Sequence, residues 1–535
     1  MKSSKYFIAC CLVAGLSGCA NVTPELTQEK PSPEAITSPT TVMAFKKGSP
    51  ETQSDNAVAV VEPTNIWDRI RSGYAIESID HPRIESHLKR YSTHASYMAR
   101  VTKRSRPYLY HIVNEIEARG MPMELAMLPI VESAFDPFAY SHGRASGMWQ
   151  FIPSTGKQYG LKQNWWYDGR RDVVASTDAA LTYLSDIYRR NGGDWLLALA
   201  AYNAGEGNVR KAIRKNKAKG LPTDFWSLNL PSETKAYVPQ LIAVSRIVMN
   251  PEQYNIDLEN IEDTPYFEVV NIGSQIDLAQ AANLAEIDIN ELYKLNPGYN
   301  RWATDPDGPH RLVIPLDNSD TFKQALSELP STSRVTWQRY KVVAGDSLIA
   351  IAKRNNTSTE VLKDNNKING HIIRTGQMLL IPKASKPFDH YAFSETQRVQ
   401  RQQNTSKGKI GSRKISYRVK QGDSFWSISR NHNVSISRLA KWNAMAPNDP
   451  IKINQELVIW TNTHASNVGS SSRELGNPML RKVFYKVRSG DSLARIAGKF
   501  NISVKEILSW NIINKNGYIH PGQSLTLFVD VTRGS

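Results

Sequence analysis

The chain has 535 residues, of which 40% are hydrophobic and 9% aromatic, so it can build several packed domains and wholesale disorder is excluded. Its one long apolar run lies at the extreme N-terminus, which excludes a polytopic membrane protein. The net charge of +16 is unevenly placed: residues 334–535 carry 32 basic and 12 acidic side chains, residues 1–333 carry 34 and 38, so the C-terminal part is a cation suited to nucleic acid, anionic lipid or a carboxylate-bearing polymer.

Lys2 and Lys5 precede an apolar run from Tyr6 to Leu16, then Leu16-Ser17-Gly18-Cys19. A charged start, a short apolar stretch and small residues before the cut form a secretory signal over residues 1–18; the run is too short to span comfortably as an uncleaved anchor. Leu-Ser-Gly-Cys resembles a bacterial lipobox, which implies that Cys19 is the lipidated first residue of the mature chain. Cys10, Cys11 and Cys19 are the only cysteines, so thiol redox chemistry, cysteine-ligated zinc and a cysteine nucleophile are excluded from the mature domains. Ala20 follows where an Asp would suggest inner-membrane retention, so the resemblance implies the periplasmic face of the outer membrane. Export also argues against nucleic acid as the partner of the basic half. Residues 19–63, rich in Pro, Ser and Thr with Phe45 as their one aromatic, read as a coreless tether spanning on the order of 40 Å.

Residues 64–258 carry helical signals. Leu109, Ile112, Val113 and Ile116 fall at helical spacing between Arg106 and Arg119, and Leu181, Leu184 and Ile187 between Ala175 and Arg190, where Gly192-Gly193 ends the pattern. Pro231-Ser232 opens a further helix to about Met249. Met121, Leu125, Leu128 and Glu132 follow at spacings of four, three and four, which predicts one helical face carrying three apolar side chains and a carboxylate. A carboxylate on such a face is partly desolvated, which raises its pKa and suits it to act as a general acid. Taken alone, the commoner fate of such a glutamate is to turn to solvent at the helix end.

The C-terminal half is repetitive. Tyr340-Lys-Val-Val-Ala-Gly-Asp-Ser-Leu348 aligns with Tyr417-Arg-Val-Lys-Gln-Gly-Asp-Ser-Phe425 and Tyr485-Lys-Val-Arg-Ser-Gly-Asp-Ser-Leu493. An Asn lies 21 residues after each Gly (Asn366, Asn443, Asn511), and each unit closes on an alternating apolar stretch. Each unit therefore reads as strand, turn, two short helices and strand, over 338–384, 415–461 and 483–530. These units resemble LysM modules, which implies a βααβ fold that binds N-acetylglucosamine-containing glycans. The Gly-Asp pairs read as turn and helix-capping residues rather than sugar ligands. The segments 385–414 and 462–482, rich in Ser, Gln, Asn and Arg, read as linkers that leave the modules mobile. Residues 259–320 hold a fainter copy without the Gly-Asp turn, expected to be a degenerate module packed on the helical domain.

Glu132-Ser133 is followed in the same domain by Gly147-Met-Trp-Gln-Phe151, Ala201-Tyr-Asn-Ala-Gly205 and Glu233-Thr-Lys-Ala-Tyr237-Val238. This ordered set resembles the lytic transglycosylases of glycoside hydrolase family 23. The resemblance implies a multidomain α+β chain: a lysozyme-like, mainly α-helical catalytic domain followed by the small βααβ modules. It implies Glu132 as the catalytic acid, Ser133 near the N-acetyl group of the reacting sugar, Gln150 and Asn203 as amide contacts to the glycan, Tyr202 in the cleft wall, and Tyr237 orienting Glu132 or the substrate. Trp149 stands where the family usually has Met; as a bulky ring it reads first as core filler. Glu206 is the obvious second carboxylate, yet Gly205 and Gly207 flank it and the family does not use a pair, so it reads as structural.

The implied function is lytic cleavage of the β-1,4 bond between N-acetylmuramic acid and N-acetylglucosamine, with closure of a 1,6-anhydro ring. The expected partners are peptidoglycan glycan strands and, through the lipid, a membrane. No metal or organic cofactor is expected: the eleven His residues include no His-Glu-x-x-His pattern. The alternatives are a goose-type lysozyme, which passes water to the same carbon, and a non-catalytic peptidoglycan-binding protein.

Overall fold

The computed structural model describes residues 65–462 apart from 78 and 356, and then 480–488, 491–500, 502, 504–511, 513 and 519–530. The expected signal peptide, Cys19 and the tether lie outside the described residues, as does 463–479 of the second linker.

Nine helices build the N-terminal domain among the described residues: α1 Ile66–Ser72, α2 Pro82–Thr93, α3 Ala95–Glu117, α4 Leu128–Ser133, α5 Pro153–Gln158, α6 Val173–Arg190, α7 Trp195–Ala204, α8 Glu206–Lys217 and α9 Ser232–Met249. The starts follow side-chain chemistry. Asp172 accepts the Ala175 N–H at 2.7 Å to open α6, and Asp194 accepts that of Leu197 at 2.9 Å to open α7. Helix α7 (WLLALAAYNA) is apolar nearly all round because α6, α8 and α9 surround it; Leu197 to Ala201 are all buried. Ile112, Val113 and Ile116 of α3 join Leu181 and Leu184 of α6 and Leu241 and Val244 of α9 in one core. Each such side chain contributes about 1.5–3 kcal/mol on burial.

The stretch before Phe135 corrects the sequence reading. It is not one helix: a 3-10 turn covers Met123–Met127, α4 begins at Leu128 with Pro129 in its first turn, and Met121 lies outside both. The 3-10 turn advances three residues per turn, so Met121, Leu125, Leu128 and Glu132 do not form one α-helical stripe. Ala134 (φ 54°) and Phe135 (φ 55°) are both left-handed and end α4 abruptly, leaving Glu132 and Ser133 in its last turn.

After this domain come β1 Phe267–Asn271, α10 Leu278–Leu284, α11 Ile289–Leu295, β2 Arg311–Pro315 and α12 Leu316–Glu328, with β1 and β2 antiparallel. This βααβ unit is seated firmly on the helical domain. Arg311 pairs with Asp172 at 2.8 Å, Tyr108 Oη donates to the Lys294 carbonyl at 2.9 Å, and Lys162 pairs with the buried Asp305 at 2.9 Å.

Three further βααβ units follow: β3 Thr336–Lys341, α13 Leu348–Arg354, α14 Thr359–Asn365 and β4 Met378–Lys383; β5 Ser412–Arg418, α16 Phe425–Asn431, α17 Ile436–Trp442 and β6 Glu456–Asn462; β7 Leu480–Lys486, α18 Leu493–Lys499, α19 Val504–Trp510 and β8 Ser524–Asp530. Helix α15, Glu395–Thr405, lies between the first and second of these units. The repeated residues are structural. Asp346, Asp423 and Asp491 accept the hydroxyls of Tyr340, Tyr417 and Tyr485 at 2.7–2.8 Å across each turn. Asn443 clamps the closing strand, accepting the Val458 N–H at 2.7 Å and donating to its carbonyl at 2.9 Å. Asn366 does the same at Leu380, Asn511 at Thr526 and Asn296 at Val313. Asn296 thus gives the faint fourth copy the same internal fastening.

The expectation of mobile modules on a loose 385–414 linker is also corrected. Tyr391 is fully buried with its hydroxyl on the Asp277 carboxylate at 3.0 Å, Phe393 stacks on Phe138 at 5.1 Å, and Glu395 pairs with Arg301 at 2.7 Å. Helix α15 then reaches the second module, where Gln403 donates to Asn443 at 2.9 Å. The segment is a strap fixed at both ends. Asp449 of the second module accepts the Tyr140 hydroxyl at 2.9 Å and pairs with Arg144 at 2.8 Å, so this module abuts the 139–146 turn of the helical domain. No helix among the described residues is long and apolar enough to cross a membrane.

Candidate active site

Helices α4, α7 and α9 and the turn 147–151 bring the expected site residues together. Glu132, half-buried at the end of α4, accepts the Tyr237 hydroxyl at 2.5 Å on Oε1. Its carboxyl is pushed up to about 7, first by desolvation and further by the negative charge of Glu233, while the Tyr237 hydrogen bond opposes the rise. Burial and the neighbouring Glu132 hold the Tyr237 and Tyr202 hydroxyls well above the ordinary phenol range, so both stay protonated donors.

Ser133, Tyr202 and Gln150 are held by backbone carbonyls of the same turn. Ser133 Oγ lies 3.0 Å from the Met148 carbonyl and 3.2 Å from that of Pro129. Tyr202 Oη donates to the Trp149 carbonyl at 2.8 Å, and its ring packs on Tyr183 with centroids 5.4 Å apart. Gln150, itself left-handed at φ 49°, turns its amide Nε2 back onto the Gly147 carbonyl at 2.7 Å. Asn203 accepts the Thr234 hydroxyl on Oδ1 at 2.8 Å, which leaves its NH2 available as a donor. Trp149 is fully buried with its indole N–H on Thr177 at 3.1 Å, in agreement with its reading as core filler.

Two other carboxylates are committed elsewhere. Glu206 pairs with Arg190 at 3.0 Å and with Arg210 at 3.6 Å at the start of α8. Glu124, which sequence reasoning missed, is buried and accepts the backbone N–H groups of Ala75 and Ile76 at 2.8–3.1 Å. Burial still pushes its carboxyl up, and the chain after α1 is what it fastens. Glu233 is the residue of the site whose role went unread; its place four residues before Tyr237 puts both on one side of α9, which is the signal that finds it.

The description Transglycosylase SLT domain matches residues 110–224. The description Lytic transglycosylase MltD, LysM-like domain matches 266–331, and LysM domain matches 340–382, 417–460 and 485–528. Over 462 residues the chain is 36% identical to the membrane-bound lytic murein transglycosylase D of Escherichia coli K12, covering 84% of this chain and 96% of that one. A shorter match, 46% identical over 136 residues, covers 25% of this chain and 66% of a putative tributyltin chloride resistance protein of an Alteromonas species. Among solved structures, the 70 kDa soluble lytic transglycosylase of Escherichia coli matches 31% of this chain and 30% of its own at 21% identity, with a TM-score of 0.24.

Proposed function

The chain belongs to the membrane-bound lytic murein transglycosylase D family, and from that premise we propose that Glu132 performs both proton transfers of the reaction. It is a lytic murein transglycosylase of the cell envelope, with LysM modules that bind peptidoglycan. The observation that carries the role of Glu132 is its pairing with Tyr237 in a site that lifts its pKa to about 7. A carboxyl poised there is protonated often enough to act as an acid and ionised easily enough to act as a base.

In the first step Glu132 gives its proton to the oxygen bridging N-acetylmuramic acid and N-acetylglucosamine. The C1–O bond breaks, and positive charge develops at the muramic C1, where the 2-acetamido group can share it. In the second step the C6 hydroxyl of the same sugar attacks C1 and returns its proton to Glu132. The product carries a 1,6-anhydro ring and no water is consumed. Tyr237 steadies the carboxylate between the steps. Ser133, Tyr202, the Asn203 NH2 and Gln150 line and order the glycan beside it; the hydrogen bond of Gln150 to Gly147 makes it a shaper of the cleft turn as much as a ligand. The domain limits follow the same reading: catalytic domain 64–258, degenerate module 259–320 and three binding modules. Lipidation at Cys19 would place the enzyme on the periplasmic face of the outer membrane.

The pH profile tests the assignment. Activity requires protonated Glu132, so it is expected to fall as pH rises through about 7. Tyr237→Phe removes the hydrogen bond that favours the carboxylate, so the alkaline limb moves to higher pH while turnover at the optimum drops about tenfold. A lower turnover with an unmoved limb would assign Tyr237 to packing alone.

A further inference from the structure

The second LysM module carries a surface that the other two lack. A cleft of about 520 Å³ opens between this module and the end of the strap. Trp442 and Trp460 lie in its wall, and Lys407, Lys409, Arg438 and Lys441 stand around it. No acidic side chain lines it, and among the described residues none of these four cations has an ion-pair partner. The strap is fitted to the wall: Trp442 Nε1 donates to the Lys407 carbonyl at 3.2 Å and Trp460 Nε1 to Ser406 Oγ at 3.1 Å. Gly408 permits this approach, because a Cβ there would lie 2.8 Å from Trp460 Cβ.

The repeats supply internal controls. At the positions of Arg438, Lys441, Trp442 and Trp460, the first module has Val361, Asp364, Asn365 and Pro382, and the third has Glu506, Ser509, Trp510 and Phe528. In the first module Val361 is buried in a cluster with Tyr391 and Val335. In the third, Trp510 and Phe528 pack on Trp426 of the second module at 5.9 and 5.3 Å. Packing therefore covers Val361 in the first module and Trp510 and Phe528 in the third, whereas in the second the strap covers Trp442 and leaves Arg438 and Lys441 exposed. The βααβ fold does not need Arg438 and Lys441 there, since the first module folds with Val361 and Asp364 and the third with Glu506 and Ser509 in their places.

We infer that this cleft binds the free carboxylates of peptidoglycan peptide stems, so that the second module reads the peptide as well as the glycan. The inference rests on peptidoglycan being the polymer bound. Cations around an aromatic wall suit a short acidic peptide, whose carboxylates pair at the rim while its apolar parts meet the half-buried Trp460 ring. The open rim makes the attraction salt-sensitive.

The test uses the full chain carrying Glu132→Gln, which holds sacculi without cutting them. Its affinity is measured on intact sacculi and on sacculi stripped of stems by an amidase, with and without Arg438→Gln plus Lys441→Gln. Both added changes are on exposed side chains, and thermal unfolding checks that the fold is kept. The parent is expected to bind intact sacculi about fivefold more tightly than stripped ones at low salt. The double variant is expected to lose that preference and to match the parent on stripped sacculi. Gly408→Val, which crowds the cleft and keeps every charge, is expected to lose it too. Equal parent affinity for both preparations, or an undiminished preference in the double variant, would overturn the inference. Binding to vesicles of anionic phospholipid is measured alongside, and a loss in the double variant confined to those vesicles would also overturn the inference by assigning the cations to a membrane. No binding to either sacculus preparation would overturn the peptidoglycan reading itself, and the cleft's role with it.

Discussion

Glu132→Gln is expected to lower cleavage of peptidoglycan by at least about a thousandfold while leaving sacculus binding within about twofold of the wild type. Gln keeps the shape and can still accept the Tyr237 hydroxyl, but it can neither give a proton to the glycosidic oxygen nor take one from C6. Quantified release of soluble muropeptides checks the first part, and co-sedimentation with sacculi the second. The same substitution is expected to stabilise the catalytic domain at neutral and alkaline pH. The folded-state pKa of about 7 lies above the ordinary glutamate value of 4.5, so between these values the native chain keeps a proton that the unfolded chain has lost. Stability therefore falls as pH rises from about 4.5 to about 7, by at most about 3 kcal/mol for this one group. Gln carries no such penalty. Its melting temperature is expected to exceed that of the wild type at pH 8, with the difference fading below pH 4.5; an equal gap at both pH values would show that desolvation of Glu132 is not its source.

The second large effect is expected at Gly147. Its φ of +83° is in the left-handed region, and a Cβ there would fall 2.0 Å from the Arg170 carbonyl oxygen and 3.1 Å from the Arg171 Cα. That backbone cannot give way, because Arg170 is buried and tied to Asp168 at 2.8–2.9 Å and to the Arg144 carbonyl at 2.7 Å. Gly147→Ala must instead displace the turn whose Met148 and Trp149 carbonyls hold Ser133 and Tyr202. A loss of about 3 kcal/mol or more is expected, with a fall in turnover beyond what the remaining folded fraction explains. Gly160→Ala is the control: φ is +77° but nothing lies within 4 Å of its Cβ, so only the conformational cost of about 1 kcal/mol is expected and turnover should hold. Thermal unfolding and turnover of the two variants separate these cases.

The site was legible because its chemistry sits in four short motifs whose residue types are costly to place anywhere else. At Glu132 the residue and its role are legible but the local geometry is not. The apolar stripe leading to it is broken by a 3-10 turn and by Pro129, and its raised pKa comes from burial where α9 packs on α4 and from the Glu233 charge rather than from one helix face. Glu233 stands in the fourth motif without a role there because it acts by charge across space; only its place four residues before Tyr237 hints at it.

The modules were legible through repetition, which reports shared fastenings such as Tyr417 to Asp423 and Asn443 to Val458. Their arrangement was not. The strap looked like a linker because Ser, Gln, Asn and Arg dominate its composition, yet Tyr391 and Phe393 within it anchor it to the folded body. Three aromatics in a polar stretch, Phe388 with these two, are the available signal, and an average over composition hides them. Tertiary contacts between distant segments, such as Asp449 with Tyr140 and Arg144, leave no mark in either partner's neighbourhood.

The claim on which the rest depends is that one carboxylate suffices because the sugar's own C6 hydroxyl replaces water. Digestion of purified sacculi in 18O-labelled water, followed by mass spectrometry of the released muropeptides, tests it most directly. Intramolecular attack requires products one water lighter than the reducing form, with no 18O at the muramic C1. Reducing ends that carry 18O would contradict it and would require a second group that activates water.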